Sequence, residues 1–348
     1  MSGDLMDHAS AIKEKALELG FSKCGIVSTD SLKGYTKMVN KRISAIPMSA
    51  LMYNRFRPLA NVQKRFPWAR SVVVLVYDYG KFRIPEKVRG HVGSVYLFDS
   101  RRDKLSEANR IADELAKFIG GLGMQVGREE DHGVAALRFA AVEAGLGVIR
   151  RNNFFYTEKG SWNLINAFAV DESMELKEKT ELKDCPDDCN RCVGACPTGS
   201  LVGPFSMDPL RCVSFLTSIG GGMMDVTNNP LRERFGGWVY GCDECQNACP
   251  FNCGRFTETE DFPGLEALAD GLTLERILEM DEEFYLKNVQ PKFWYLDKDK
   301  MHVWKVNALN AMRNNYKETY GPLIKKCLGD PNERVSRMAK TVCDALNI

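Results

Sequence analysis

Apolar positions in the first half of the chain follow both strand and helix periods, which predicts an N-terminal α+β unit with a central sheet. The clearest strand is the continuous apolar, β-branched run at residues 71–77. Shorter strands are predicted at residues 23–27, 154–156 and 164–170. Helical spacing that ends close to glycine predicts helices at residues 11–19, 103–119 and 134–143.

Between the first two strands, residues 34–70 show no clear period and contain three prolines, so we expect an irregular segment there. The segment is basic, with Arg55, Arg57, Lys64 and Arg65. Two interpretations stay open. The segment is either a solvated loop or a lid that contacts an anion.

The last third of the chain is predicted to be helical. Amphipathic patterns occur at residues 272–280, 304–312, 322–328 and 333–346. The last helices look like the paired helices of one HEAT-type repeat. We therefore expect three domains, at residues 1–178, 179–256 and 257–348.

The middle domain is defined by its cysteines. Cys189, Cys192 and Cys196 are followed by Pro197, and the same C-x2-C-x3-C-P spacing recurs at residues 242–250. This spacing is typical of bacterial ferredoxins with two 4Fe-4S clusters, in which the cysteine before proline binds the other cluster. Zinc and disulfides are the alternatives. A zinc ribbon does not need the third cysteine and proline, and disulfides are rare in reducing compartments.

The exchange rule assigns eight thiolates to two clusters. The first cluster takes Cys185, Cys189, Cys192 and the distant Cys249, and the second takes Cys196, Cys212, Cys242 and Cys245. One gap is irregular, because three residues separate Cys185 from Cys189 where the usual motif has two. Cys253 is left over and is the alternative ligand if Cys185 cannot reach.

Composition indicates an ordinary globular protein. The chain has 348 residues, 44% hydrophobic and 27% charged, with a net charge of +1. No apolar run is long enough for a membrane span, and no export signal is visible, so we expect a cytoplasmic protein without a membrane partner. The net charge gives no overall attraction to nucleic acid, although a local basic patch is compatible with it.

Taken together, these features resemble the epoxyqueuosine reductases, cobalamin-dependent enzymes of tRNA modification. The resemblance covers nearly the whole chain and includes specific local matches. They are G-L-G-V-I at 145–149, G-S-W at 160–162, A-C-P-T-G at 195–199, R-C-V-S-F-L-T at 211–217 and Y-G-C-D-E-C-Q at 240–246.

The resemblance implies a fold of three parts: an α/β sandwich that binds cobalamin, a ferredoxin-like domain with two 4Fe-4S clusters, and a HEAT-like C-terminus. It implies conversion of epoxyqueuosine to queuosine in tRNA, with Asp131 as the proton donor. Asp131 also suits the N-cap of the next helix. The cofactor contacts implied are Arg55, Asp131, Ser214, Gly241 and Cys242. The implied partners are a tRNA anticodon stem-loop and a reduced ferredoxin- or flavodoxin-type donor, and we expect a monomer.

The chain also departs from the family pattern. Residues 96–103 begin with Tyr96 but lack the later tyrosine and the histidine that the family carries, and Val148, Arg150 and Arg151 replace tryptophan, glycine and lysine. These differences keep two other functions open. One is a related corrinoid and iron–sulfur reductase of another substrate, similar to reductive dehalogenases. The other is an iron–sulfur electron carrier that reduces a separate corrinoid protein.

Overall fold

An antiparallel sheet lies at the centre of the N-terminal half. The computed structural model describes residues 7–98, 102, 106–129 and 132–348. Within these ranges the strands are β1 (Lys23–Ser28), β2 (Ser71–Asp78), β3 (Val126–Gly127), β4 (Val148–Ile149), β5 (Phe155–Tyr156), β6 (Asn163–Val170), β7 (Leu201–Gly203) and β8 (Ser206–Met207). The order in the central sheet is β1–β2–β6–β3, while β4–β5 and β7–β8 form separate pairs. The predicted central sheet is therefore confirmed.

Strand β2 is buried on both faces, as its apolar run predicts. Val73 and Leu75 belong to the large hydrophobic cluster, which also contains residues of the helices on one face of the sheet. Val72 and Val74 belong to a second cluster on the other face. Successive side chains of a strand point to opposite faces, so both faces need apolar cover. Glycine and alanine lie opposite Val74 on the neighbouring strands, at Gly25 and Ala167.

Helices cover both faces of this sheet. The helices of this half are α1 (His8–Glu18), α2 (Tyr35–Ala45), α3 (Ala50–Tyr53), α4 (Ser94–Phe98), α5 (Glu107–Gly121) and α6 (Leu137–Glu143). The first and fifth contribute to the large cluster and the sixth to the second cluster. The helix predicted from residue 134 begins only at Leu137, with Ala136 at its N-cap. The N-cap role suggested for Asp131 is therefore wrong.

The expectation of an irregular segment at residues 34–70 is wrong in part. This segment contains α2, α3 and several 3-10 turns, including Pro47–Ser49, Asn54–Ala60 and Val62–Lys64. Helix α2 buries only Tyr35 and Val39. Met38 and Ile43 pack against the same cluster as these two residues, so the apolar residues of α2 do have helical spacing, which the prediction overlooked beside the three prolines of the segment.

The cysteine-rich segment consists of short elements joined by turns. They are α7 (Arg191–Gly194), α8 (Val213–Thr217), α9 (Ile219–Met223), α10 (Glu244–Asn247) and the β7–β8 pair. The two repeated cysteine motifs form α7 and α10, which pack against each other. Proline follows the last cysteine of each motif and prevents the helix from continuing.

The C-terminal part is helical, as predicted. Its helices are α11 (Leu265–Asp270), α12 (Leu274–Glu279), α13 (Glu282–Phe284), α14 (Met301–Asn314), α15 (Gly321–Lys326) and α16 (Glu333–Leu346). Helix α14 packs against both α12 and α16. The HEAT-type arrangement of these helices stays a prediction. In the part of the chain that the structure describes, no helix has the length and apolar character of a membrane span.

Candidate metal centre

Three cysteines close together in sequence and one distant cysteine line one cavity. Cys185, Cys189, Cys192 and Cys249 lie around it, together with Arg150, Arg151, Asn152, Arg191, Pro250 and Phe251. These are the four thiols predicted for the first cluster. Cys253, the alternative ligand, is exposed and does not line this cavity. The extra residue between Cys185 and Cys189 therefore does not keep Cys185 away from the other three.

The thiols of this cavity influence one another electrostatically. Burial raises the pKa of the Cys192 thiol, and the nearby Cys249 and Cys185 raise it further. Negative charge on one sulfur thus disfavours negative charge on the next. Four thiolates are stable in such a cavity when metal cations supply compensating positive charge.

The other four predicted ligands form a second group. Burial raises the pKa of Cys245, followed by the influence of Cys212 and Cys196. Burial raises the pKa of Cys242 as well, and Cys212 and Cys245 add to the effect. Cys196 therefore acts on the thiols of the second motif, and Cys249 lines the cavity of the first. All twelve cysteines are within the described ranges, and none of them forms a disulfide.

Backbone N–H groups surround the sulfurs of the second group. The Ser200 N–H donates to Cys196 Sγ at 3.2 Å. Cys212 is the N-cap residue of α8. Burial raises the pKa of its thiol, whereas the backbone N–H groups of Phe215 and Ser214 act in the opposite direction. These donors favour a thiolate at Cys212.

Three of the five predicted cofactor contacts come together beside this second group. The Tyr96 hydroxyl lies 2.6 Å from Ser214 Oγ. Gly241 has φ +83°, and a Cβ built there would stand 2.6 Å from the Tyr96 ring. Its N–H donates to Thr217 Oγ1 at 3.0 Å, and Cys242 follows directly. Ser214, Gly241 and Cys242 therefore lie close to Tyr96.

The other two predicted contacts lie elsewhere in the chain. Arg55 is exposed on the 3-10 turn Asn54–Ala60. Asp131 lies outside the described residues. On either side of it, Arg65 forms an ion pair with Glu129 and donates to the Gly133 carbonyl at 3.2 Å. Phe56, next to Arg55, packs edge-on against His132, with ring centroids 5.6 Å apart. The basic segment thus lies beside the chain that flanks Asp131.

Two residues at the first group were missed by sequence reasoning. Arg150 is 2% exposed, and its Nη1 lies 3.7 Å from Cys185 Sγ. Burial raises the pKa of Tyr156, and a hydrogen bond with Cys249 adds to the shift. Arg150 could be noticed only as a departure from the family pattern, and Tyr156 carried no signal beyond a strand.

The two glycines of the G-L-G match bring this part of the chain close to its neighbours. A Cβ on Gly145 would collide with the Glu178 carbonyl oxygen, and one on Gly147 with the Tyr156 carbonyl oxygen. Gly145 also has φ +72°. Both positions therefore require glycine, and at Gly147 this lets the chain before β4 lie directly against β5.

A buried polar network joins the G-S-W match to the second cysteine motif. Ser161 donates its N–H to Asn252 Oδ1 at 2.9 Å and its hydroxyl to Gln246 Oε1 at 2.9 Å. Asn152 Nδ2 donates to the Cys245 carbonyl at 3.0 Å. These bonds fix the N-terminal unit relative to both groups of cysteines.

Known proteins match this arrangement. The family model described as "4Fe-4S double cluster binding domain" matches residues 185–252. An epoxyqueuosine reductase from Staphylococcus aureus is 34% identical over 201 residues, 56% of this chain and 51% of that protein. One from Pseudomonas aeruginosa is 30% identical over 294 residues, 79% of this chain and 78% of that protein. A solved structure of an epoxyqueuosine reductase with an epoxyqueuosine-modified tRNA-Tyr stem loop has a TM-score of 0.74 at 21% identity, over 97% of this chain and 90% of that one.

The matched double-cluster domain, together with the cavity lined by four cysteines, defines an iron–sulfur protein of the double 4Fe-4S cluster class. Within that class, the chain belongs to the epoxyqueuosine reductase family.

Proposed function

We propose that this protein reduces epoxyqueuosine in tRNA to queuosine, with two 4Fe-4S clusters and cobalamin as its cofactors. Membership of the family supports the substrate, and the two groups of four thiols carry the proposal. The proposed reduction takes two electrons, and a 4Fe-4S cluster delivers one electron at a time. Two clusters can therefore supply both electrons.

The first cluster would be held by Cys185, Cys189, Cys192 and Cys249, and the second by Cys196, Cys212, Cys242 and Cys245. The donor set fits, since four-iron clusters take four thiolates each. Cobalamin, when bound, supplies low-valent cobalt for the reduction. The overall reaction consumes two electrons and two protons, breaks both carbon–oxygen bonds of the epoxide, forms an alkene and releases one water.

The cobalamin would lie against Arg55, Asp131, Ser214, Gly241 and Cys242. One observation supports this fit. The turn Pro47–Ser49 packs against the turn Pro209–Arg211, immediately before Cys212. Met48 and Leu51 on the same basic segment are 63% and 67% exposed. An apolar and basic surface therefore borders the second cluster, as a large macrocycle with polar side chains requires.

Asp131 would donate a proton to the departing oxygen. General acid catalysis needs a carboxyl group within hydrogen-bond reach of that oxygen. The contacts of Arg65 on both sides of Asp131 support this role, because they hold the flanking chain beside the basic segment. The anticodon stem-loop would bind across the N-terminal unit and the helical C-terminus. A reduced ferredoxin or flavodoxin would supply electrons in the cytoplasm to a monomeric enzyme.

The test is conversion of the modified nucleoside. Protein loaded anaerobically with iron, sulfide and cobalamin is incubated with tRNA that carries epoxyqueuosine and a low-potential reductant. Nucleosides are then digested and analysed by mass spectrometry. Queuosine should replace epoxyqueuosine. No conversion by fully loaded protein would contradict the proposal and favour a related corrinoid reductase of another substrate, whereas protein that binds iron but no cobalamin would favour an electron carrier.

A further inference from the structure

A buried guanidinium lies against the first group of thiols. Arg150 is 2% exposed, and its Nη1 is 3.7 Å from Cys185 Sγ. The guanidinium carbon sits 3.4 Å from the centroid of the Phe251 ring and 5.2 Å from that of Tyr156. The group is therefore fixed between two aromatic rings and directed at a cysteine sulfur.

This cation has no carboxylate partner in the described part of the chain, and its Nε has no hydrogen-bond partner there. A buried charge without a counter-charge is strongly unfavourable. The nearest group able to carry negative charge is the set of four thiols that lines the same cavity. Arg150 is thus placed to pair with an anion built on those sulfurs.

The Tyr156 hydroxyl lies on the same side of this group. Asn152 Nδ2 donates to the Tyr156 hydroxyl oxygen at 2.8 Å, and burial, followed by the influence of Cys249, raises the pKa of this hydroxyl. Arg150 is the side chain whose hydrogen bond reaches a sulfur of the first group. The second group differs, because its Arg211 donates to the Thr198 carbonyl at 2.9 Å and not to a sulfur.

We propose that Arg150 sets the reduction potential of the first cluster, raising it above that of the second. Reduction adds one electron to a cluster that four thiolates already make negative. A fixed positive charge and a hydrogen bond to a ligand sulfur stabilise the reduced form more than the oxidised form. The first cluster then takes up an electron before the second. This inference rests on the cluster ligation in the proposed function, but not on the substrate or on cobalamin.

The experiment is a potentiometric titration with a low-potential reductant, followed by electron paramagnetic resonance. It compares the wild type with Arg150→Gln, with Arg150→Lys, and with Arg151→Gln as the matched control. Arg151 lines the same cavity, but its guanidinium donates to the Asp187 carbonyl at 2.8 Å and not to a sulfur. Iron content is measured on every sample.

Arg150→Gln should lower the higher of the two reduction potentials by at least about 59 mV, which corresponds to a tenfold change in the equilibrium constant for one electron. The lower potential should stay nearly constant, and Arg150→Lys should restore most of the loss because it keeps the charge. Arg151→Gln should have a smaller effect. Unchanged potentials in Arg150→Gln at full iron content, or an equal shift in Arg151→Gln, would overturn the inference.

If Arg150→Gln loses the first cluster, Arg150→Lys decides. The inference is supported if the lysine variant keeps the higher of the two reduction potentials at its wild-type value. It is overturned if that potential falls by an amount that corresponds to a tenfold change in the reduction equilibrium. Wild-type protein without about eight irons would instead contradict the proposed function, so the two failures are distinguishable.

Discussion

At the second group of thiols, one glycine determines how closely the backbone approaches Tyr96. Gly241 has φ +83°, and an added Cβ would stand 2.6 Å from the Tyr96 ring. We predict that Gly241→Ala destabilises the fold by about 1–3 kcal/mol through backbone strain and by a similar amount through overpacking. Calorimetry should show a lower Tm, and the iron content should fall because Cys242 is the next residue.

The control for this change is Gly236→Ala. Gly236 also has a positive φ, +60°, but an added Cβ would meet nothing within 4 Å. The control therefore introduces backbone strain without a collision and should keep its iron. Equal losses of Tm and iron in the two variants would show that the contact with Tyr96 is unimportant.

Asp131 gives the second prediction at the residue scale. Asp131→Asn is nearly isosteric but removes the acidic proton, so turnover of epoxyqueuosine should fall by about 10²–10⁴-fold. Cluster content and cobalamin retention should stay close to wild type, as measured by iron analysis and equilibrium dialysis. Asp113→Asn, an exposed carboxylate paired with Arg128, is the control and should keep full activity. Near wild-type turnover in Asp131→Asn would eliminate it as the acid.

The residues of the site differ in how far sequence could predict them. Six of the eight predicted ligands belong to the repeated C-x2-C-x3-C-P spacing, whereas Cys185 and Cys212 stand outside it and were added to complete two sets of four. Arg150 and Tyr156 could not be predicted in the same way. Their approach to Cys185 and Cys249 depends on how the β4–β5 pair packs against the cysteine-rich segment, and neither residue belongs to a spacing motif.

Among the elements, those with strong patterns were predicted well. Strand β2 and helix α16 have nearly the predicted bounds, since one is a continuous apolar run and the other has a pronounced apolar face. Helix α2 was missed beside the prolines of its segment, and it is stabilised by Tyr35 and Val39, which pack in a cluster that includes Phe139. Local pattern alone does not reveal such a tertiary contact.

The contact between elements yields a further prediction. Asn252 accepts a hydrogen bond from the Ser161 N–H and donates to the Gln246 carbonyl at 2.9 Å. Asn252→Ala leaves the buried Ser161 N–H without this acceptor, which should cost about 1–3 kcal/mol. Calorimetry should therefore show a clear fall in Tm. Because Cys249 lies three residues before Asn252, retention of the first cluster should fall too.

Asn288→Ala is the matched control. The Asn288 amide is exposed and donates to the Phe284 carbonyl at 3.3 Å, so its loss should change stability by no more than about 0.5 kcal/mol. A fall in Tm of the same size in both variants would contradict the role of the buried network.

At the scale of the whole molecule, the three predicted segments share one hydrophobic core. The largest cluster of buried side chains includes Val73 from the sheet, Trp238 from the cysteine-rich segment and Trp304 from the helical C-terminus. Sequence patterns indicate separate segments because each has its own composition. Packing between them, which places the cysteines beside the N-terminal unit, depends on contacts distant in sequence and was not predictable from those patterns.

The transfer of cluster electrons to the substrate can be measured directly. Protein with both clusters reduced, cobalamin bound and excess reductant removed is mixed with a stem-loop that carries epoxyqueuosine. A stem-loop that already carries queuosine is the control. The paramagnetic resonance signal of the reduced clusters should disappear only with epoxyqueuosine, and mass spectrometry should detect queuosine in the same sample. A signal that persists beside unchanged epoxyqueuosine, in protein with about eight irons, would contradict the proposed function.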